Sequence, residues 1–138
     1  MVEGKTCPVS ELVGEIPLSV SLDTPIKDAA KLMKDKDLSA VVVTKNQRVT
    51  GIITEKDITR RVVAKNLDAS KTSVKEIMTK NLISVPPGTS LAKAATIMKT
   101  KKIRHLPIVQ KGLILGVVTA MDILEADPKC ISFLTGNR

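Results

Sequence analysis

The sequence predicts an α+β fold built from two pseudo-twofold related β-α-β-β-α repeats, and three observations predict it. The chain repeats itself. Thr54 and Asp57, in Gly51-Ile52-Ile53-Thr54-Glu55-Lys56-Asp57-Ile58, recur as Thr119 and Asp122, in Gly116-Val117-Val118-Thr119-Ala120-Met121-Asp122-Ile123, at an offset of 65 residues. The offset runs back without a gap through Met33/Met98, Ala29-Ala30/Ala94-Ala95, Thr24/Thr89, Ser19-Val20/Ser84-Val85, Glu11/Glu76 and Val9/Val74. A fixed period of this kind marks a duplicated structural unit. The second observation is that strand-sized β-branched runs alternate with one helical-period apolar stripe in each half. The third is composition. With 43% hydrophobic residues but no Trp, no Tyr and one Phe, Phe133, the core has to be aliphatic.

Each repeat reads in order as a short helix, a strand, a helix, two strands and a helix. In repeat one, 9–13 suggests the short helix and Leu18-Ser19-Val20 the first strand. Thr24 is placed to cap the next helix, with Pro25 at the favoured first position. Ile26, Ala29, Ala30 and Met33 then fall at i, i+3, i+4 and i+7, one buried stripe. Thr89, Leu91, Ala94, Ala95 and Met98 repeat the arrangement, and the alanines let the helix pack closely. The runs 39–44 and 48–53, joined at Lys45-Asn46-Gln47, carry a hairpin signature, as do 105–109 and 113–118 around Gln110-Lys111-Gly112. The last helix of repeat one starts at Thr54 and runs into Arg60-Arg61-Val62-Val63, and the polar stretch 66–73 is a linker. The repeats are thus set at 9–65 and 74–126, with a tail at 127–138 whose Ile131, Phe133 and Leu134 could form one docking turn.

At 138 residues the chain has the size of one ordinary domain. Each half would be marginal alone, because small units bury too little surface, so the halves are expected to share one core. Apolar runs such as Ala40-Val41-Val42-Val43 are far shorter than the roughly 20 residues a membrane helix needs. The first residues carry no apolar signal region, so a cytoplasmic protein is expected. Cys7 and Cys130 show no metal-ligand spacing, and two free thiols suit a reducing compartment better than a disulfide. The net charge of +8, from 22 basic and 14 acidic residues, favours anionic partners but is spread along the chain.

The duplicated Gly-x-x-Thr-x-x-Asp pattern puts a hydroxyl at a strand end and a carboxylate in the first helical turn. One reading is a capping box, although Asp is short for that role, and the helix dipole alone also favours Asp there. The other reading is a ligand contact, because a carboxylate accepts two hydrogen bonds from a sugar diol. Both copies keep Thr and Asp while their neighbours drift, which favours the second reading. A strand-to-helix turn also presents N–H groups to phosphate, and an aliphatic cleft suits a purine. A second constellation, Ile103-Arg104-His105-Leu106-Pro107, offers Arg104 and His105 to phosphate, Arg being the better bidentate partner.

With these motifs in hand, the chain resembles the CBS domain family, named for cystathionine β-synthase, as a tandem pair spanning about 9–126. Residues 38–43, 51–58, 103–109 and 116–123 carry the resemblance. It implies an α+β module with two clefts that bind adenosine-containing ligands such as AMP, ADP, ATP, S-adenosylmethionine or NAD, and that often dimerises. Carried over by residue, the resemblance gives one cleft Thr54 and Asp57 for ribose. Ile83, Val85, Ile103, Arg104, His105, Leu106 and Pro107 then serve its base and phosphate. The other cleft takes Thr119 and Asp122 with Leu18, Val20, Leu38, Ser39, Ala40 and Val41. There Val42 replaces Pro107 and Ser39-Ala40 replace Arg104-His105, so phosphate is expected at the Asp57 cleft.

The leading function is therefore non-catalytic sensing of energy or metabolite state. An adenine nucleotide serves as regulatory ligand, no cofactor is required, and the module works as a homodimer through an unknown effector protein. S-adenosylmethionine or NAD binding is the alternative within that class. An enzyme is disfavoured, since the sole His and two terminal Cys form no nucleophile–base pattern and no phosphate loop or metal motif appears. RNA or DNA binding, suggested by Arg60, Arg61, Lys99, Lys101, Lys102 and Arg104, lacks the aromatic stacking platforms of single-strand binders.

Overall fold

The computed structural model describes residues 8–12 and 18–130. The readings placed on Cys7, Val13, Ile131, Phe133 and Leu134 lie outside them. The described residues fall into two compact units, a first of 18–82 and a second of 8–12 with 83–130.

In the first unit β1 (Ser19–Ser21) lies parallel to β2 (Ala40–Lys45), with Val20 opposite Val43, and β2 lies antiparallel to β3 (Arg48–Thr54). Lys45 faces Arg48, and the two residues between them, Asn46 and Gln47, take φ of 52° and 70°. Two positive φ values in a two-residue loop are the mirror-image turn that matches strand twist. The register then slips between Val43 and Thr44, leaving Thr50 as an extra residue whose hydroxyl donates to the Val43 carbonyl at 3.0 Å. The bulge bends the ribbon and strengthens its twist.

The second unit repeats the hairpin with β4 (His105–Gln110) and β5 (Leu113–Thr119), turning at Lys111 and Gly112. It too has a bulge, between Ile108 and Val109. The expected first strand shrinks here to a single bridge. Val85 pairs parallel with Ile108, donating to the Pro107 carbonyl and accepting from the Val109 N–H, both at 3.0 Å. Pro86 and Pro87 follow at once and have no N–H to extend the ladder.

Helices α1 (Ile26–Lys36) and α3 (Leu91–Lys101) carry the predicted stripes; Ile26, Ala29, Met33, Leu91, Ala94, Ala95 and Met98 are buried, and Ala30 is half-buried. Their caps differ from expectation. Pro25, not Thr24, precedes the first helical residue of α1 and gives no side-chain cap, while Ser90, not Thr89, caps α3 by accepting the Lys93 N–H at 3.1 Å. Pro25 and Ser90 stay extended because each forms a bridge, with Ser73 and Pro8 respectively, so helix begins one residue later. Both helices stop at a left-handed residue, Asp37 (φ 55°) or Lys102 (φ 58°), after which Leu38 and Ile103 donate back to Met33 and Met98.

Helix α2 (Glu55–Ile58) continues into a π turn (Thr59–Val63), closed by the Ala64 N–H on the Thr59 carbonyl at 2.9 Å. In the second unit α4 (Ala120–Ala126) is followed by a 3₁₀ turn, Pro128–Cys130.

Buried aliphatic side chains form two clusters, one within each unit. One collects Val85, Leu91, Ala94, Ala95, Met98, Leu106, Ile108, Val118 and Ile123 together with Val9 from the 3₁₀ turn Val9–Leu12. The other collects Ile26, Ala29, Met33, Val41, Val43, Ile53 and Val62 together with Val74, Ile77 and Met78, beginning in the 3₁₀ turn Val74–Glu76. The opening turn of each sequence repeat thus completes the core of the other repeat. The Val9 N–H donates to the Thr89 carbonyl at 2.7 Å, and its equivalent, Val74, donates to Thr24 at 2.8 Å. Each wholly buried valine contributes on the order of 1.5–3 kcal/mol.

Candidate functional site

The Thr-x-x-Asp turns are capping boxes in both repeats. The Thr54 N–H and hydroxyl both donate to Oδ2 of Asp57, at 2.9 and 3.0 Å, and the Asp57 N–H donates to the Thr54 hydroxyl at 3.2 Å. At the second turn the Thr119 N–H donates to Oδ2 of Asp122 at 2.9 Å, and the Asp122 N–H to the Thr119 hydroxyl at 3.0 Å. Asp is long enough after all: each Thr is extended at the strand end, and its N–H reaches the Asp Oδ2 at 2.9 Å in both turns. The cap consumes one carboxylate oxygen. The other is available for further contacts, and here the repeats part. In the first, Nε of Arg61 lies 3.8 Å from Oδ1 of Asp57; in the second, Ala126 occupies the place of Arg61.

The remaining expected contacts sort by unit. In the second unit, β4 and β5 set His105 directly opposite Thr119, and the Ala120 N–H donates to the Arg104 carbonyl at 3.0 Å. Arg104 is exposed and His105 half-buried at the end of the hairpin where the Asp122 turn begins. Ile83 and Ile103 are half-buried; Val85 and Pro107 are buried, and Leu106 lies wholly within the core. In the first unit Ala40 stands opposite Thr54, and the Glu55 N–H donates to the Ser39 carbonyl at 3.1 Å. Leu18 and Ser39 are exposed, Val20, Leu38 and Ala40 half-buried, and Val41 lies in the core. Leu106 and Val41 therefore support the rim from beneath and present no surface of their own.

One unit thus brings Arg104 and His105 together with Thr119 and Asp122, and the other brings Ser39 and Ala40 together with Thr54 and Asp57. The sequence-based grouping, which joined Arg104 and His105 to Asp57, draws on both units. Arg61 was read only as part of a basic run; the signal for its role was a basic residue four positions after Asp57 where the second repeat has alanine. Among the described residues, no three or more His, Cys, Asp or Glu side chains are grouped to hold a metal ion, and no helix is long and apolar enough to cross a membrane.

The family model for the CBS domain matches the chain twice, at residues 9–64 and 74–129. The chain belongs to the CBS domain family. It is 35% identical over 134 residues to the uncharacterized protein MJ0450 of Methanocaldococcus jannaschii, covering 89% of this chain and 72% of that one. It is 36% identical over 111 residues to an inosine-5'-monophosphate dehydrogenase of Nitrosopumilus maritimus, covering 79% of this chain but 22% of the dehydrogenase. Among solved structures, an uncharacterized conserved protein from Pyrococcus horikoshii superposes with a TM-score of 0.81 at 33% identity, covering 88% of this chain and 92% of that one. The α+β architecture described above is that of a tandem CBS pair.

Proposed function

We propose that this CBS pair is a non-catalytic regulatory module that binds an adenosine-containing ligand at the rim of the second unit. The observation that carries the reading is the pairing of His105 with Thr119, which sets a basic strand start beside a carboxylate with an oxygen to spare. Asp122 takes the ribose diol through the oxygen its cap does not use. Arg104, with His105 beside it, takes the phosphate, since a charge-assisted guanidinium–phosphate contact is about twice as strong as a neutral hydrogen bond. Half-buried Ile83 and Ile103 offer aliphatic surface to the base. Likeness to about a fifth of a dehydrogenase supports use as an accessory module acting through a partner. The working form is a homodimer, a reading that exposed Met121 and Val63 support.

The test is calorimetry with AMP, ADP, ATP, S-adenosylmethionine and NAD at fixed salt, repeated on Arg104→Ala and Asp122→Ala. Both variants should weaken phosphorylated ligands, and Arg104→Ala should leave unphosphorylated adenosine unaffected. Absence of heat with all five ligands rejects the reading. Light scattering should return twice the 14.8 kDa chain mass.

A further inference from the structure

We propose that Arg61 decides which of the two Thr-x-x-Asp turns takes a ligand, by holding the Asp57 carboxylate within the protein so that only the Asp122 turn engages a diol. The inference rests on the diol-binding reading of Asp122. At Asp57 both carboxylate oxygens are engaged: Oδ2 receives the Thr54 N–H and hydroxyl at 2.9 and 3.0 Å, and Oδ1 faces Nε of Arg61 at 3.8 Å. The Asp57 side chain is 12% exposed and that of Arg61 47%, so the carboxylate is the less accessible member of the pair.

The guanidinium is also tethered. Its Nη1 donates to the Ile77 carbonyl at 2.9 Å, which ends the 3₁₀ turn that completes this core. Val62, next in the chain, is 2% exposed within that core and pins the π turn carrying Arg61. A diol reaching Asp57 would have to compete with an arginine paired to that carboxylate and hydrogen-bonded to the Ile77 carbonyl. In the second repeat Ala126 stands where Arg61 does, and nothing comparable covers Asp122 from its own helix.

The experiment is calorimetry with adenosine, which carries the diol and no phosphate, and with AMP. Both are titrated into the wild type, Arg61→Ala, Asp122→Ala and the double variant Arg61→Ala/Asp57→Ala. The expected result is one binding event per chain in the wild type, abolished by Asp122→Ala. A second event, at least tenfold tighter than any wild-type binding at that turn, should appear in Arg61→Ala and vanish in the double variant. Should Arg61→Ala fail to fold, Arg61→Gln keeps a donor for the Ile77 carbonyl without the charge, and the same gain is expected. Two events in the wild type, or a single event in Arg61→Ala that Asp122→Ala still removes, would overturn the role of Arg61 and leave the Asp122 reading standing. No binding by the wild type with a new event in Arg61→Ala would support Arg61 and reject the Asp122 reading. No binding by either overturns both.

Discussion

Gly51 on β3 is packed so closely against Met78 that a β-carbon added to it would lie 2.5 Å from the Met78 sulfur and 2.9 Å from the Thr79 carbonyl oxygen. The contact exists because Ile52 and Thr79 exchange backbone hydrogen bonds, at 3.2 and 2.9 Å, which draw the segment after the 3₁₀ turn onto the strand. This explains the glycine at the head of the Gly-x-x-Thr-x-x-Asp pattern in the first repeat without recourse to a ligand.

Gly51→Ala should therefore be costly. The methionine can yield, but the backbone carbonyl cannot without disturbing the Ile52–Thr79 bridge, and overpacking of this kind costs about 1–3 kcal/mol. Gly88 is the contrast: nothing lies within 4 Å of its added carbon and its φ is not positive. Gly88→Ala should stabilise by about 0.4–1 kcal/mol, by restricting the unfolded chain. Urea midpoints for the two variants should move in opposite directions. A neutral Gly51→Ala would show that the approach seen here is loose.

The left-handed residue ending α3 is a lysine, although its φ of 58° and ψ of 43° suit glycine. An L-residue pays about 1–2 kcal/mol for that conformation, and glycine gives part of it back through its freer unfolded chain. Lys102→Gly should thus raise the urea midpoint by the equivalent of about 0.5–1 kcal/mol. A lowered midpoint would mean that the lysine side chain contributes more than its backbone loses.

Much of this fold was legible because the information is local. The hairpins follow from β-branched runs around Asn46-Gln47 and Lys111-Gly112, and the stripes of α1 and α3 from helical spacing. What was not legible depends on contacts far along the chain. Val9 and Val74 open short polar segments, and nothing in so few residues says which core they enter; that is settled by their bonds to Thr89 and Thr24. The same bridging displaced the caps by one residue. The site was legible in its residue types, since each Thr-x-x-Asp is where the period put it. Within each unit the His105–Thr119 and Ala40–Thr54 pairings set a strand start next to a turn, a register the motifs alone do not give.

The ion pair between Lys75 and Asp23, at 2.7 Å, clips the 3₁₀ turn to the loop before α1. The hydrogen bond and then the charge of Lys75 hold the Asp23 carboxyl below its ordinary range, and Asp23 raises Lys75 in the same way. A lowered folded pKa on the acid gives stability that is present above the ordinary carboxyl value of about 3.9 and is lost as pH falls through the folded value. A raised pKa on the base gives stability present below about 10.4 and lost at higher pH. Both groups are exposed, so the contribution is small and screened by salt. The difference in melting temperature between wild type and Asp23→Asn should be widest near neutral pH, close at acid pH, and shrink in molar salt. A difference that persists at acid pH would assign the effect to something other than this pair.

The two caps should separate stability from binding. Removing either carboxylate orphans a backbone N–H, so Asp57→Ala and Asp122→Ala should each cost about 1 kcal/mol in urea unfolding. Asp57→Ala should cost somewhat more, since Arg61 also loses its partner, although a half-exposed pair at 3.8 Å adds only about 0–1 kcal/mol. Ligand affinity should split the other way. Asp122→Ala should weaken adenosine by about 1.5–3 kcal/mol, the worth of hydrogen bonds to a charged group, while Asp57→Ala leaves it unchanged because that carboxylate is already engaged. Equal loss of affinity in the two variants would mean that Arg61 yields readily and both turns bind. Loss of stability alone in both would reduce the repeated Thr-x-x-Asp motif to a helix cap.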